Sequence, residues 1–446
     1  MEELLQRVRA AFEEAPPLDD PRYRMLPSYI AEELRSSWPR LVEANNRDVD
    51  SAVGKGLPVA LVERLRLGDA QLRYLLQLAD SVSAELESVL AAGPSRPAGS
   101  WGSLHALPKP LGVLLMVYEA RPTVTVEAAL LACSVGSGVI LRGGHELAVT
   151  NEVMGQVLSD AIDKAGLPRE LVQVIHDPDR KVLRALLQRP DAIDVLIPRG
   201  SPSLIEYCKR TSTIPVIASG GGINHLYIDA TADLRSAARI ALDSKLVEPT
   251  ACNTLEFALV EESVYRPFLR ALAEAAAEED TNLTLRVADA EAEATAVGSL
   301  AGQAVNWHQL QDRDLDREFA DAHLGVVAVS GLDAAIQHIS QHGTGHTEGI
   351  VSTDPAAVQQ FCRAVDAAAL VVNGSLRLHD GPTLGLGPEL SISTGRLHVR
   401  GPLTLSRLVT YSWVIDAGDT LRAEADASRR AGLHQPSTSK ESLDVH

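Results

Sequence analysis

Residues Gly112 to Gly144 read G-V-L-L-M-V-Y-E-A-R-P-T-V-T-V-E-A-A-L-L-A-C-S-V-G-S-G-V-I-L-R-G-G. A β-rich run, Gly112 to Val117, gives way to a longer apolar segment, Val124 to Val135, and then to a second short run, Gly138 to Leu141. This reads as strand, helix, strand. The alternation continues with Glu146 to Ala165 as helix, Leu171 to Ile175 as strand, Arg180 to Leu187 as helix, Ile193 to Ile197 as strand and Ser203 to Thr211 as helix. Such an order predicts a parallel, doubly wound α/β sheet, whose ligands normally bind outside the carboxyl ends of the strands.

Upstream, from Met1 to about Leu90, apolar positions such as Leu61, Leu65, Leu75 and Leu78 recur at helical spacing, with Pro16-Pro17, Pro39 and Pro58 as punctuation. A helical lead-in is expected there. A second α/β block starts near Asp229, with strands at Leu255 to Val260, Gly325 to Val329, Glu348 to Val351 and Leu370 to Val372. Helices at Pro267 to Glu278 and Pro355 to Val365 lie between them. The Gly/Pro-rich stretch His379 to Thr394 reads as a functional loop, and Arg407 to Val414 as one more strand. From about Arg422 the chain turns polar and Ser-rich, and a mobile tail is expected.

At 446 residues and 45% hydrophobic composition, the chain can fill two or three domain cores. A net charge of -18 and an aromatic content of 4% argue against a nucleic-acid partner. An anionic substrate would need its own basic pocket. Cys133, Cys208, Cys252 and Cys362 are far apart and form no C-x-x-C pair, so neither a disulfide framework nor a metal site is indicated, and a reducing cytoplasm is the natural reading. The start M-E-E-L-L-Q-R-V-R-A lacks the basic region and apolar core of a secretory signal, and no apolar run is long enough to span a bilayer.

One cysteine has a distinctive setting. In S-K-L-V-E-P-T-A-C-N-T-L-E, Ser244 to Glu256, Cys252 sits in a small-residue turn that runs into the apolar strand L-E-F-A-L-V. A thiolate held there would face a cleft while the sheet fixes its neighbours, and a positioned thiolate splits a hard acyl transfer into two easier steps. A cysteine in an arbitrary place is more often a small buried apolar residue.

Six motifs extend that context: P-L-G-V-L-L-M-V-Y-E-A-R-P-T-V-T, G-V-I-L-R-G-G, D-V-L-I-P-R-G-S, P-T-A-C-N-T-L-E, H-G-T-G-H-T-E and L-H-V-R-G-P. In this order and spacing, over roughly Leu107 to Val414, the sequence resembles the glutamate-5-semialdehyde dehydrogenases, or gamma-glutamyl phosphate reductases, of the aldehyde dehydrogenase superfamily. The resemblance implies a helical lead-in with an NADP-binding Rossmann-like domain over 1–225 and a catalytic α/β domain over 226–400. It further implies a final strand and oligomerisation element over 401–421, with 422–446 as the tail. It implies reduction of L-glutamyl 5-phosphate by NADPH to L-glutamate 5-semialdehyde and phosphate, the second step of proline synthesis from glutamate. A homodimer or homotetramer follows by the same analogy, with glutamate 5-kinase as a candidate partner.

Carried onto this sequence, Cys252 is the nucleophile, and Asn253 with nearby backbone N–H groups the oxyanion stabilisers. An Asn in a turn also satisfies local backbone, and that alternative stands. Arg142, Gly143, Gly144, Pro198, Arg199, Gly200, Ser201 and Glu318 are implied cofactor contacts. Arg142 is a cation for the nucleotide phosphate, the helix after Ser201 offers free N–H groups to the pyrophosphate, and Glu318 faces the nicotinamide ribose. With no acid directly beside Arg142 and Glu146 four residues on, NADPH is expected over NADH. Glu119, Arg121, Lys245, His346 and Arg400 are implied substrate contacts. Arg121 suits a phosphate or carboxylate, unless Glu119 merely ties it to its own loop, and Lys245 is placed to lower the thiol pKa or bind phosphate.

The sequence also departs from the family's pattern. Within Ile217 to His225, Ser219 stands where a histidine is usual and Asn224 where a cysteine is usual, and Gly374 and Leu376 replace the more usual Ala and Thr. A divergent paralogue acting on a related acyl phosphate is therefore one alternative, and a non-catalytic scaffold of the same fold is another. Val216 to Asn224 contains no carboxylate, which favours phosphate over water as the acyl acceptor.

Overall fold

A computed structural model of the chain describes residues 1–99, 101–297 and 304–432. The Gly112–Gly144 run folds as strand Val113–Tyr118, helix Thr123–Ser134 and strand Gly138–Arg142. Every residue of the first strand and every residue from Val124 to Ser134 is buried. Neither element has a solvent face, which explains why both read as near-continuous apolar runs. With Val172–Val174 and Val195–Arg199 these strands form a four-stranded parallel sheet, in which Val117 lies opposite both Arg142 and Pro198. That register brings the Glu119–Arg121 turn, Arg142 and the Arg199–Ser201 turn to one edge, the carboxyl ends of the strands.

The lead-in is helical, with helices Glu2–Glu14, Pro21–Gly54, Val59–Leu65 and Asp69–Leu90. Leu26, Ile30, Leu34, Leu75 and Val82 join Leu130 and Leu131 in one core. Pro58 is the N-cap of Val59–Leu65, but Pro39 does not interrupt its helix. An interior proline costs about 3 kcal/mol, and the buried flank of Leu34, Trp38 and Leu41 offsets it.

The second block is a seven-stranded parallel sheet ordered Val305–Gln309, Leu283–Val287, His323–Val329, Leu255–Glu261, Asn224–Ile228, Thr347–Val351 and Ala369–Val372. Three of these strands, Asn224–Ile228, Leu283–Val287 and Val305–Gln309, are absent from the pattern reading, and the boundary expected after residue 225 falls inside the first of them. Gly222, Cys252 and His346 each stand just ahead of a strand. They therefore gather at the amino ends of this sheet. The motif residues thus stand at the carboxyl ends of the four-stranded sheet and at the amino ends of the seven-stranded one. The two are joined through Val216, which bridges in parallel to Leu196, with Ile217 N–H donating to the Leu196 carbonyl at 2.9 Å.

A third unit pairs Ser103–Pro110 with Val409–Asp416, antiparallel along their whole length, and leaves Tyr411, Trp413 and Ile415 exposed. The segment His379–Thr394 is not loop throughout. Its last part, Glu389–Ser393, pairs with Gly401–Thr404, so the boundary expected at residue 400 separates two paired strands. Of the polar tail, Arg422–Gly432 is a helix, and 433–446 lies outside the described residues. Among the described residues no helix is long and apolar enough to cross a membrane, and no cluster of His, Cys, Asp or Glu is suited to a metal ion.

Candidate active site

Cys252 lies at the apex of a tight turn between helix Leu234–Leu246 and strand Leu255–Glu261. The turn closes on Glu248 and Ala251. The Ala251 N–H donates to the Glu248 carbonyl at 3.0 Å, the Thr254 N–H to the Ala251 carbonyl at 3.1 Å, and the Thr254 hydroxyl to Glu248 at 2.6 Å. The Cys252 and Asn253 N–H groups are absent from this set and donate to no acceptor among the described residues. Cys133 and Cys208 are buried and Cys362 is exposed, whereas Cys252 is half-buried. Burial pushes the thiol up from its ordinary value, Arg199 and Arg121 draw it down, and Glu389 and Glu318 oppose them. The thiol thus lies within electrostatic reach of two cations and two carboxylates.

Behind the turn, Asn224 donates from Nδ2 to the Cys252 carbonyl at 2.8 Å and to the Thr254 carbonyl at 2.7 Å. Its Oδ1 accepts the Thr347 N–H at 3.1 Å. Gly222 comes so close that a Cβ built on it would lie 1.6 Å from the Cys252 carbonyl oxygen, so no side chain fits there. The Gly222 N–H donates to Glu318 at 2.6 Å.

The expected contact residues meet different fates. Arg121 is half-buried and makes no ion pair among the described residues. Burial lowers its pKa, and neighbouring Arg199 and Arg64 lower it further, while Glu127 and Cys252 favour its charge. It follows Ala120, whose φ of 48° is rare for a residue with a side chain and is held by an N–H donation to Glu146 at 2.9 Å. Glu119 does not tie Arg121. Its carboxylate accepts the Ser201 N–H at 2.8 Å, so that donor at the start of helix Pro202–Thr211 is already engaged. Arg199 donates to the Leu390 carbonyl. Gly200 leaves room for Glu119, since a Cβ there would come within 2.5 Å of its carboxylate.

Four expectations need correction. Lys245 is fully buried and donates to Glu256 at 2.9 Å, so its ammonium is committed to that ion pair rather than free for a phosphate. Arg142 is spent on the carbonyls of Pro178 and Asp179 at 3.1 and 3.3 Å, bracing the turn after Val172–Val174, although its Nε stays buried without a partner. The Asn253 side chain donates to the His379 carbonyl at 3.1 Å, which ties it to that segment, while its backbone N–H donates to no acceptor among the described residues. Arg400 pairs with Asp366 at 2.5 Å. Gly143 and Gly144 leave room for Asn151 and Glu146 of the protein itself. His346 is buried, hydrogen-bonded through Nδ1 to the Thr347 hydroxyl at 2.7 Å, and held neutral by burial, which lowers its pKa to about 3.

The structure adds residues that the motifs did not single out. Thr347 also bonds His379 Nδ1 at 2.8 Å, and His346 Nε2, His379 Nε2 and Asn253 Oδ1 are buried without partners. Glu389 accepts the Gly381 N–H at 3.1 Å, and burial raises it to about 7 against the pull of Arg199. Buried Glu127 stands close enough to act on both Glu389 and Arg121. The carboxylates missing from Val216–Asn224 are thus supplied near Cys252 by Glu318 and Glu389 from distant segments. A Glu within an apolar helix and another in a Gly-rich stretch were the available signals for Glu127 and Glu389.

Residues 68–312 match the model of the aldehyde dehydrogenase family. The chain is 37% identical over 402 residues to a gamma-glutamyl phosphate reductase of Haemophilus influenzae strain PittGG, covering 89% of this chain and 93% of that one. It is 38% identical over 401 residues to the Salmonella paratyphi C protein of the same name, covering 88% and 93%. The crystal structure of gamma-glutamyl phosphate reductase from Thermotoga maritima superposes with a TM-score of 0.84 at 29% identity, covering 94% and 99%. An acetylating aldehyde dehydrogenase from Geobacillus thermoglucosidasius, 17% identical with a TM-score of 0.68 over 94% and 97%, shares the fold. Similarity along nearly the whole chain, in sequence and in architecture, makes this protein a member of the aldehyde dehydrogenase family, within its gamma-glutamyl phosphate reductases, and an oxidoreductase.

Proposed function

We propose that the chain reduces L-glutamyl 5-phosphate to L-glutamate 5-semialdehyde and phosphate with NADPH, through a thioester on Cys252, as the second step of proline synthesis from glutamate. The observation that carries this reading is the half-buried thiol within reach of Arg121 and Arg199 in a chain of net charge -18. The names of its relatives point the same way.

In this reading Arg121 and Arg199 gather the phosphate. Cys252, as thiolate, forms the S–C bond to the acyl carbon, and the C–O bond to phosphate breaks, with phosphate leaving as the anion those arginines favour. The backbone N–H groups of Cys252 and Asn253 stabilise the intervening oxyanion. Glu127, buried, and Glu389, half-buried, are carboxylates beside the arginines and suit the α-ammonium of a glutamyl group. After reduction of the thioester, collapse of the hemithioacetal frees the aldehyde and returns Cys252.

The cofactor fits the carboxyl ends of the four-stranded sheet. Arg142 supports that edge and its Nε is buried without a partner, while Glu146 is turned inward onto the Ala120 N–H. Glu146 is thereby engaged within the protein rather than left to repel a 2'-phosphate. The Pro198–Ser201 turn and Glu318 would hold NADPH, which when bound supplies the hydride, with Arg142 bracing the edge from behind. The same reading makes the enzyme cytoplasmic and a homodimer or homotetramer, assembled through the ribbon that exposes Tyr411, Trp413 and Ile415. Glutamate 5-kinase, as the source of the acyl phosphate, remains its proposed partner.

The test is run in reverse. Glutamate semialdehyde and NADP+ should give NADPH in a phosphate-saturable way, more efficiently than with NAD+ and than with a panel of other aldehydes. Without phosphate the reaction should stall after about one turnover per site, as an acyl-enzyme accumulates. Sustained phosphate-free NADPH formation with free carboxylate as product would mean that Glu318 or Glu389 activates water and that the reductase reading is wrong.

A further inference from the structure

The geometry points to Asn224 as the positioning residue that aims the free N–H groups of the nucleophile turn at the substrate oxyanion. The inference rests on Cys252 being the nucleophile, as proposed above. A carboxamide has two donors and one accepting oxygen, and all three are used here. Both N–H groups of Asn224 go to the turn, on the carbonyls of Cys252 and Thr254, and the oxygen goes to Thr347 on the neighbouring strand. The residue is fully buried, so water does not compete for any of these bonds.

The consequence follows from peptide geometry. The Cys252–Asn253 bond is trans, and in a planar trans peptide the C=O and the following N–H point in opposite directions. Holding the Cys252 carbonyl against Asn224 therefore turns the Asn253 N–H away from Asn224. Gly222 packs against the same carbonyl and beside the Asn224 amide, at a distance that admits no side chain. The peptide is held by the amide and hemmed in by backbone, and the unbonded Asn253 and Cys252 N–H groups are fixed before substrate arrives. Such preorganised donors act on a developing oxyanion without further reorganisation.

A residue that merely strapped the turn would slow every reaction of Cys252 alike. One that aims oxyanion donors would slow only reactions that pass through an oxyanion. Acylation by p-nitrophenyl acetate forms the S–C bond through a tetrahedral oxyanion and expels nitrophenolate, with the thiol proton lost to solvent. Alkylation by iodoacetamide displaces iodide directly and forms no oxyanion. Both rates would be measured on the full-length wild type and Asn224→Ala at one pH, reading the Cys252 peptide by mass spectrometry. Acylation should fall roughly 10- to 100-fold, somewhat less than loss of a donor itself costs, and alkylation by less than about threefold. Equal losses in the two rates, or no loss in either, would overturn the proposal. If Asn224→Ala does not fold, Asn224→Cys fills the space with a single weak donor and should show the same selective loss in smaller measure. Wild type acylated at another cysteine would refute the nucleophile itself. Wild type acylated at Cys252 but inactive on glutamate semialdehyde would refute only the substrate reading.

Discussion

Lys245 and Glu256 form an ion pair at 2.9 Å between Nζ and Oε2, with side chains 0% and 2% exposed. Burial lowers the ammonium pKa and raises the carboxyl to about 7, and each group offsets the other's desolvation. Glu256 also accepts the Phe319 N–H at 3.1 Å, which ties the segment carrying Glu318 to the strand after Cys252. Lys245→Met should therefore destabilise the fold by about 3–5 kcal/mol, the cost of stranding a buried partner. Lys245→Met with Glu256→Leu should recover much of that loss. Denaturant midpoints check both, and a Lys245→Met protein that is fully stable but has a raised KM for phosphate would return Lys245 to the substrate site.

Cys252→Ala should abolish turnover with little change in Tm, because a small side chain replaces a small one. Alanine at Cys133, Cys208 or Cys362 should leave turnover in place. An inactive Cys362→Ala beside an active Cys252→Ala would reverse the assignment.

The reactivity of Cys252 should climb with pH. Burial raises the thiol, so the thiolate fraction is small at neutral pH and grows as pH passes above the ordinary thiol range. Arg121 favours the anion, so Arg121→Gln should move the inflection to still higher pH. The same substitution should raise the KM for phosphate roughly 10- to 100-fold, the worth of about 1.5–3 kcal/mol for a hydrogen bond to a charged group. The iodoacetamide pH profile and phosphate saturation curves read the two effects separately.

His346 and His379 make the fold acid-sensitive. Burial lowers them from 6.5 to about 3 and about 4. A depressed histidine contributes stability above its unfolded pKa, and that contribution is lost as pH falls from 6.5 toward the folded value. The destabilisation of His346→Gln relative to wild type should therefore shrink on going from pH 7.5 to pH 4.5. The reduction should reach about 2.7 kcal/mol, two pH units below 6.5 at about 1.36 kcal/mol each. Glu389 and Glu256, raised to about 7, act with the opposite slope, but equally in both proteins, and cancel in the comparison. A gap that is constant with pH would mean that His346 does not titrate as its burial requires.

The sequence pattern reveals local arrangements and conceals distant ones. Val113–Tyr118 and Thr123–Ser134 declare themselves because burial on every side leaves a continuous apolar run. The turn at Cys252 is legible because small residues precede an apolar strand. The strand Val305–Gln309 escapes notice because it is at the edge, largely exposed and polar. Arg142 and Lys245 look free in sequence, and only the fold brings Pro178 and Glu256 against them. Glu389 is hidden for the same reason, since its raised pKa is a property of the packed site and not of P-E-L-S.

Gly222 divides what evolution can vary from what it cannot. Any replacement there drives a carbon into the Cys252 carbonyl, so a saturation library should return glycine alone at that codon. Leu384 and Leu386, exposed in the stretch from His379 to Thr394, are under no such constraint, although Gly387 between them and Glu389 is as tightly confined as Gly222. Single substitutions can accumulate at Leu384 and Leu386 while the glycine that closes on the Cys252 carbonyl passes unchanged from one generation to the next.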